Sequence, residues 1–571
     1  MDTLKAQDWN YRKVDLEFAM HLSEKLDIHP LLARLMVSRG IEDAETGYGI
    51  LHPHLRKLHD PFQLGGMKRA VDRIGEAVEN GERVMIHGDY DVDGITASAL
   101  LFESLKEVLD DRLDVFLPSR FEEGYGISPG AFEIMKKKGS SLMITVDCGI
   151  RAVSEMDHAR EMGFDVIVTD HHEPGGVIPV GVAVVDPKVE GDPYPFKELA
   201  GVGVAFKLAT ALQVSGVTGV DVRELLDLVA MGTISDLVPL LDENRILVHF
   251  GVEKLSGTRR LGLQMLMKES GLEPRRGIKA GDVSFKLGPR LNAAGRLGHP
   301  DMALDLILTD DRIDAELFSR ELSTLNYKRQ SIGKKLVEEI FEEIKNLDMD
   351  DDPSVIVARE GWNPGVIGVS AARVLEMVGR PVIVISIKGK TARGSARSPS
   401  GFNMEKALSS LGEILIEYGG HERAAGLTLE TERIGEFRKR FNQLVEEMYP
   451  GRVYTPVLDV DLDLSPEELD IPGIESIEGM GPFGMSNPQP VISLRDVSIG
   501  YGIRTVGDGK HLKFNVVDGE ISVDCIWFNM GELEAKLSPG INVTIAGQPD
   551  IHRWGGTETV QMKVLDMALL E

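Results

Sequence analysis

His87-Gly-Asp89-Tyr-Asp91-Val-Asp93 follows the apolar run Val84-Met-Ile86, and its reading decides the rest of the chain. A short apolar run that breaks into acids looks like a buried strand ending at one edge of a parallel sheet. The pattern recurs. Leu142-Met-Ile144 leads into Thr145-Val-Asp147, and Val166-Ile-Val168 leads into Thr169-Asp170-His171-His172. A lone Asp236, in Gly232-Thr-Ile-Ser-Asp236, completes the set. Open α/β sheets gather their ligands at the carboxyl ends of parallel strands. The stretches therefore predict a doubly wound sheet with one reactive edge.

An Asp after a strand commonly caps the next helix, and Asp93-Gly94 suits a turn. Any one of these sites has that structural reading. Four together do not, because a buried cluster of acids repels itself unless cations neutralise it. Carboxylates with neutral imidazole suit divalent manganese, with zinc, iron or cobalt as less exclusive alternatives. The residues spell a metal cage.

At 571 residues the chain is too long for one core and predicts three or four domains. Cys148 and Cys525 are its only cysteines, so neither a disulfide framework nor a thiolate zinc site is expected. No apolar run approaches the ~18 residues of a membrane span, and the first residues do not read as a signal segment. The expected location is cytoplasmic, with no membrane partner.

Residues 1–60 carry helical patches such as Leu16-Glu-Phe-Ala-Met-His-Leu, expected to pack on the catalytic domain. Residues 61–250 alternate strand-like and helix-like segments, as a parallel sheet requires. Residues 251–350 hold a basic segment and then a Pro-free stretch, Arg312 to Leu347, that predicts one long connecting helix. Asp348-Met-Asp-Asp-Asp-Pro353 reads as a linker, and residues 351–450 as a smaller α/β unit. From 451 to 571 the pattern changes to short alternating strands, beginning with Val457–Leu464, which suggest a small barrel.

A formal charge of −28 is unusual for a protein that holds a polyanion. Local distribution matters more than the total. From Lys254 to Arg296 there are ten Lys or Arg against three acids, ending in Gly288-Pro-Arg-Leu-Asn-Ala-Ala-Gly-Arg296. The plain reading is a solvated basic face; the preferred one is a basic channel on an acidic body.

Together these motifs resemble the DHH phosphoesterase superfamily, named for the Asp-His-His triplet at 170–172, and within it the single-strand-specific DNA exonucleases. Further matches are Phe121-Glu-Glu-Gly-Tyr-Gly126, Leu199-Ala-Gly-Val-Gly-Val-Ala-Phe206, Gly361-Trp-Asn-Pro-Gly-Val-Ile-Gly368 and Gly419-Gly-His-Glu-Arg-Ala-Ala-Gly426. They run collinearly from about residue 50 to the C-terminus. One departure stands out: the family shows His after Trp362, and this chain has Asn363.

The resemblance implies a DHH catalytic domain, a DHHA1 substrate-binding domain and a C-terminal OB-fold. It implies two divalent cations, Mn2+ preferred and Mg2+ as the alternative. One would take His87, Asp91 and Asp147; the other Asp93, Asp147, His171 and Asp236, with Asp147 bridging. Two such ions ~3.5–4 Å apart clamp an in-line displacement at phosphorus, with water as nucleophile. Asp89 would act as ligand, general base or support. His172 would face the scissile phosphate, and Asp170 would orient the histidines. A 5′-phosphate pocket would draw on Arg120, Arg290, Ser395 and Arg397. Asn292, Arg296, Gly419, Gly420 and His421 would touch the nucleic acid. On the barrel, Trp527, Phe528 and Trp554 are candidate base platforms, with Lys510, Lys513 and Arg553 for the backbone; each aromatic equally suits the barrel interior.

The implied activity is 5′→3′ hydrolysis of single-stranded DNA to mononucleotides in recombination and repair, beside single-strand-binding, helicase or replisome partners. The alternatives are RNA or the opposite polarity, a phosphodiesterase for short oligonucleotides or cyclic dinucleotides, and a scaffold with an eroded metal site. Gly201-Val-Gly203-Val-Ala-Phe206 fails as a dinucleotide fingerprint, and no Gly-x-x-x-x-Gly-Lys-Ser/Thr loop occurs.

Overall fold

The computed structural model describes residues 7–120, 126–345, 347, 352–449 and 456–570. The chain forms two compact units, residues 55–454 and residues 1–54 with 455–571.

After β1 (Asp8–Tyr11), the chain builds five parallel strands, β2 (Val84–His87), β3 (Leu113–Phe116), β4 (Leu142–Val146), β5 (Asp165–Thr169) and β6 (Ala183–Val185). Their order is β3-β2-β4-β5-β6. Every residue of β2 and β4 is buried, because helices cover both faces. Ile86, Ile144 and Val146 enter a large core with the helices Val92–Leu109 and Gly201–Val214, while Met85 and Met143 enter a smaller one with Phe132 and Met156. After β2 the chain places β3 on one side and β4 on the other. This reversal opens a crevice at the carboxyl ends of β2 and β4.

The expected connecting helix spans Arg312–Ile344, about 50 Å at the usual rise. Asp311 caps it, its Oδ1 accepting from the backbone N–H of Ile313 and Asp314. It leads to a mixed sheet of β7 (Val355–Glu360), β8 (Val382–Lys388), β9 (Thr391–Arg397), β10 (Leu415–Gly420) and β11 (Ala424–Glu430), ordered β10-β11-β9-β8-β7. Only β7 and β8 run parallel.

In the other unit, the stretch expected as one strand from 457 to 464 divides into β12 (Val457–Val460) and β13 (Leu462–Leu464). The first pairs with β1 and the second with β14 (Ile492–Ile499). Asp461 is the reason. Its carboxylate turns inward to accept from Arg39 and from the N–H of Val491, so the strand changes partner there. The sheet continues through β15 (Arg504–Val506), β16 (His511–Asp518), β17 (Ile521–Trp527), β18 (Asn542–Trp554) and β19 (Thr557–Leu569). Pairing of Ser498 with Val517 and Ile499 with Val516 joins β14 to β16 and closes a five-stranded barrel.

Two expectations are corrected here. The N-terminal helices were expected on the catalytic domain; instead Leu22, Leu31, Leu35 and Met36 share a core with the barrel strands. Trp527 is no open platform: strand alternation turns it inward with Val523 and Cys525, and it is 4% exposed. Phe528 is 47% exposed, and Arg553 is held by Glu475 and Glu558. The side chain of Trp554 lies outside the described residues.

Candidate active site

Each acid of the opening motif has a position fixed by backbone chemistry. Asp91 caps the helix Val92–Leu109, its Oδ1 accepting from Asp93 and Gly94 N–H at 2.9 and 3.3 Å. Gly94 cannot carry a side chain, since a Cβ would stand 2.5 Å from the Asp89 nitrogen. Asp147 adopts φ 63°, a left-handed turn at the end of β4 that aims its carboxylate back across the sheet edge. Asp93 is gripped by the start of the helix Gly201–Val214: Gly201 N–H donates to Oδ2 at 2.7 Å and Val202 N–H to Oδ1 at 2.8 Å. Sequence reasoning missed this role of the Gly201-Val-Gly203 stretch. Its signal was a glycine where a helix starts, because a Cβ on Gly201 would lie 2.6 Å from Asp147.

The donors converge. His171 Nε2 lies 3.1 Å from Asp147 Oδ1, 3.5 Å from Asp236 Oδ2 and 3.8 Å from Asp93 Oδ2. Ligand atoms of Asp89, Asp91 and Asp147 form a second group within 4.8 Å of one another, and Asp147, His171 and His172 a third. His87 falls outside these groups, yet its buried Nε2 has no hydrogen-bond partner. The same holds for Asp89 Oδ1, Asp147 Oδ1 and both ring nitrogens of His171. The 3.1 Å contact between His171 and Asp147 is therefore a juxtaposition without hydrogen-bond alignment, as two ligands of one cation would show.

The electrostatics agree. Burial, then the neighbouring carboxylates, raises Asp89, Asp147 and Asp236 well above the usual range, and Asp93 to about 7. Burial lowers His87 to about 4; burial and then the His172 charge lower His171 to about 3. Crowded acids beside neutral imidazoles become fully ionised only against added positive charge. The donor set fits divalent cations.

Asp170 behaves differently. Its Oδ1 accepts from His171 N–H and meets His172 Nδ1 at 2.7 Å, and its Oδ2 accepts from Ile150 N–H at 2.9 Å. Burial raises this carboxyl, but the bond to His172 and the histidine charges outweigh it, leaving about 2. Burial pushes His172 down, and the bond to Asp170 with the nearby carboxylates more than restores it, leaving the ring raised above the usual histidine value.

Beside these residues lie two cavities. One, of about 250 Å³, is lined by Asp89, Asp91, Arg120, His172, Asn292 and Arg296. The other, of about 550 Å³, joins Tyr90, Arg120 and His172 to Gly419, Gly420 and His421 of the second sheet. Arg120 stacks over Tyr90 at 5.0 Å. Arg397 donates to Ser395 Oγ at 3.1 Å, and both face Gly368, where a Cβ would come within 3.1 Å of either side chain. Burial, then the charges of Arg120 and Arg329, lowers Arg296 to about 10; burial and Arg120 lower Arg397. Arg290, Ser395 and Arg397 line neither cavity; Arg290 donates to Ser323 Oγ and to the Lys286 carbonyl. The motif residues Phe121–Tyr125 lie outside the described residues.

Residues 83–233 match the DHH family N-terminal domain, 352–447 the DHHA1 domain and 460–566 the RecJ OB domain. The chain is 41% identical over 566 residues to the single-stranded-DNA-specific exonuclease RecJ of Bacillus subtilis, covering 99% of this chain and 71% of that protein. It belongs to the RecJ family. The Thermus thermophilus RecJ is 35% identical, covering 95% of this chain and 76% of that protein. The structure of Thermus thermophilus RecJ in complex with Mn2+ superposes with a TM-score of 0.84 at 29% identity, covering 99% of this chain and 80% of that one.

Within this RecJ frame Asn363 has a clear task. Its Oδ1 accepts from Gly365 N–H at 2.8 Å and its carbonyl from Val366 N–H, shaping the turn before the helix Ile367–Val378. Several cations of the 254–296 run are paired: Arg260 with Glu103 and Asp227, Lys254 with Glu224, Arg276 with Glu273, and Lys286 with Asp282.

Proposed function

We propose that this chain hydrolyses single-stranded DNA from a 5′-phosphorylated end, releasing mononucleotides with two divalent cations as cofactors. The observation that carries the reading is the set of buried, unpartnered donor atoms of His87, Asp89, Asp147 and His171, beside arginine-lined cavities. RecJ relatives named for single-strand exonuclease activity, and a related structure holding Mn2+, support it.

His87, Asp91 and Asp147 would hold one ion, and Asp93, Asp147, His171 and Asp236 the other. When bound, such ions would supply a nucleophile at neutral pH and neutralise charge on the phosphoryl oxygens. The chain's own residues do the rest. The helix start at Gly201 fixes Asp93, and Asp170 fixes His172. His172, oriented through Nδ1 by Asp170 and lining both cavities, would donate to the scissile phosphate as charge develops there. Arg120, Arg290, Ser395 and Arg397 would hold the terminal phosphate, with planar guanidinium contacts selecting the end. His421, Gly419 and Gly420 line the path of the backbone, and Asn292 and Arg296 close the smaller cavity.

A time course on 5′- and 3′-labelled single-stranded DNA and RNA with Mn2+, Mg2+ or chelator tests the reading. Immediate release of mononucleotide from the 5′ label alone, DNA preferred and metal required, is the expected result. Early release from the 3′ label, or equal rates in chelator, would overturn it.

A further inference from the structure

His87 closes β2 with its imidazole wholly buried, and two neighbours fix the ring. Phe116, at the end of β3, lies against it with 5.3 Å between centroids. Cys148 Sγ stands 3.7 Å from Nδ1, and its thiol donates to the His87 carbonyl at 3.8 Å. On the other side of the ring, Nε2 is buried and has no hydrogen-bond partner among the described residues.

The thiol owes its place to the turn that ends β4. Asp147 at φ 63° and Gly149 at φ 113° both take the left-handed region, and Thr145 Oγ1 donates to the Cys148 carbonyl at 2.7 Å. One turn thus sends the Asp147 carboxylate to the sheet edge and the Cys148 sulfur to the ring of His87. A thiol offers one weak donor and a weakly accepting sulfur. With the S–H committed to the His87 carbonyl, the sulfur is left to accept. A neutral imidazole carries one proton, and the group facing Nδ1 decides where it sits.

We propose that Cys148 is a positioning residue for the metal cage: its sulfur accepts from Nδ1–H of His87 and so presents the Nε2 lone pair to a divalent cation. The inference rests on the ligand role given to His87 above. A metal-binding histidine ordinarily donates its other N–H to a carboxylate, a carbonyl or water, which fixes both tautomer and ring orientation. Here a buried sulfur stands in that place. A buried cysteine alone would be a small apolar side chain. The unpartnered Nε2 across the same ring is the separate observation that ties the contact to a ligand.

Cys148→Ala removes the acceptor, and Cys148→Ser returns a hydroxyl that donates and accepts. Free Mn2+ is followed by electron paramagnetic resonance during titration of each protein. Affinity for one ion should fall about tenfold or more in Cys148→Ala, the usual cost of losing an outer partner, and Cys148→Ser should recover most of it. Unchanged affinity in Cys148→Ala overturns the proposal. Equal losses in both variants also overturn it, since packing would then explain the effect. The wild type supplies a second reading that needs no variant to fold well. In chelator at about pH 8, above the usual histidine range, nitrogen NMR of labelled histidine should show His87 protonated at Nδ1. Its signal is the one missing from His87→Gln, and protonation at Nε2 overturns the proposal. Neither readout involves DNA. A wild type that binds Mn2+ without cutting fails the nuclease reading and leaves this inference standing; one that takes up no Mn2+ overturns both.

Discussion

The N–H of Gly201 donates to Asp93 Oδ2 at 2.7 Å, joining two residues 108 positions apart in sequence. A helix N-terminus favours anionic groups, so this bond offsets part of the upward push of burial on Asp93 and orients its carboxylate at the sheet edge. A Cβ on Gly201 would also meet Asp147 at 2.6 Å, so the contact tolerates glycine alone. Gly201→Ala should therefore lower hydrolysis more than a hundredfold, about 2.7 kcal/mol of barrier, by displacing two carboxylates together. Steady-state kinetics and Mn2+ titration of the same variant check it; wild-type metal affinity would refute the mechanism of loss.

Asp147→Ala should abolish hydrolysis with the fold retained, because this carboxylate contributes to two of the three donor groups. Removing it also relieves repulsion among Asp89, Asp93 and Asp236, so thermal stability in chelator should rise or hold. Residual activity above about a tenth, less than ~1.4 kcal/mol of barrier, would refute its bridging role.

Arg397→Ala should weaken preference for a 5′-phosphate without removing metal-dependent cleavage, since the residue stands on β9 beside Ser395 and outside the metal groups. Paired substrates with phosphorylated and hydroxyl 5′ ends measure the effect. An unchanged preference rejects the pocket.

Acid crowding gives a pH signature. Asp93 is raised to about 7 from an unfolded value near 3.9, so between these values the folded chain binds the extra proton. In chelator, stability should fall as pH rises through that window. Saturating Mn2+ should remove the slope, adding about 2.7 kcal/mol at one hundred times its dissociation constant. Urea unfolding at pH 5 and pH 8, with and without Mn2+, reads both effects; a chelator curve that rises from pH 5 to 8 contradicts the assignment.

Truncation should respect the units and not the ends. A protein of residues 55–454 should fold and cut very short oligonucleotides, because it retains every proposed metal ligand. Removing only 456–570 should aggregate the chain, since Leu22, Leu31, Leu35 and Met36 lose the barrel core they share. Soluble, monomeric behaviour of that second form on gel filtration would contradict the shared core.

The apolar runs at 84–86, 142–144 and 166–168 determined the parallel sheet and its acidic edge by themselves. A strand buried on both faces must be apolar throughout, and acids that follow it fall at its end. The Pro-free run from Arg312 likewise specified the long helix, since helical spacing is local. Partners distant in sequence were decided only by the tertiary structure. Nothing around Asp461 announces that its carboxylate turns inward to Arg39 and divides a strand in two. Trp527 could have faced either side of the barrel until closure of β14 on β16 assigned its face to the interior. Arg290 matches a phosphate motif in sequence, yet its helix directs it to Ser323. Local sequence sets periodicity and burial; the atom that satisfies a buried charge is chosen by where the chain crosses itself.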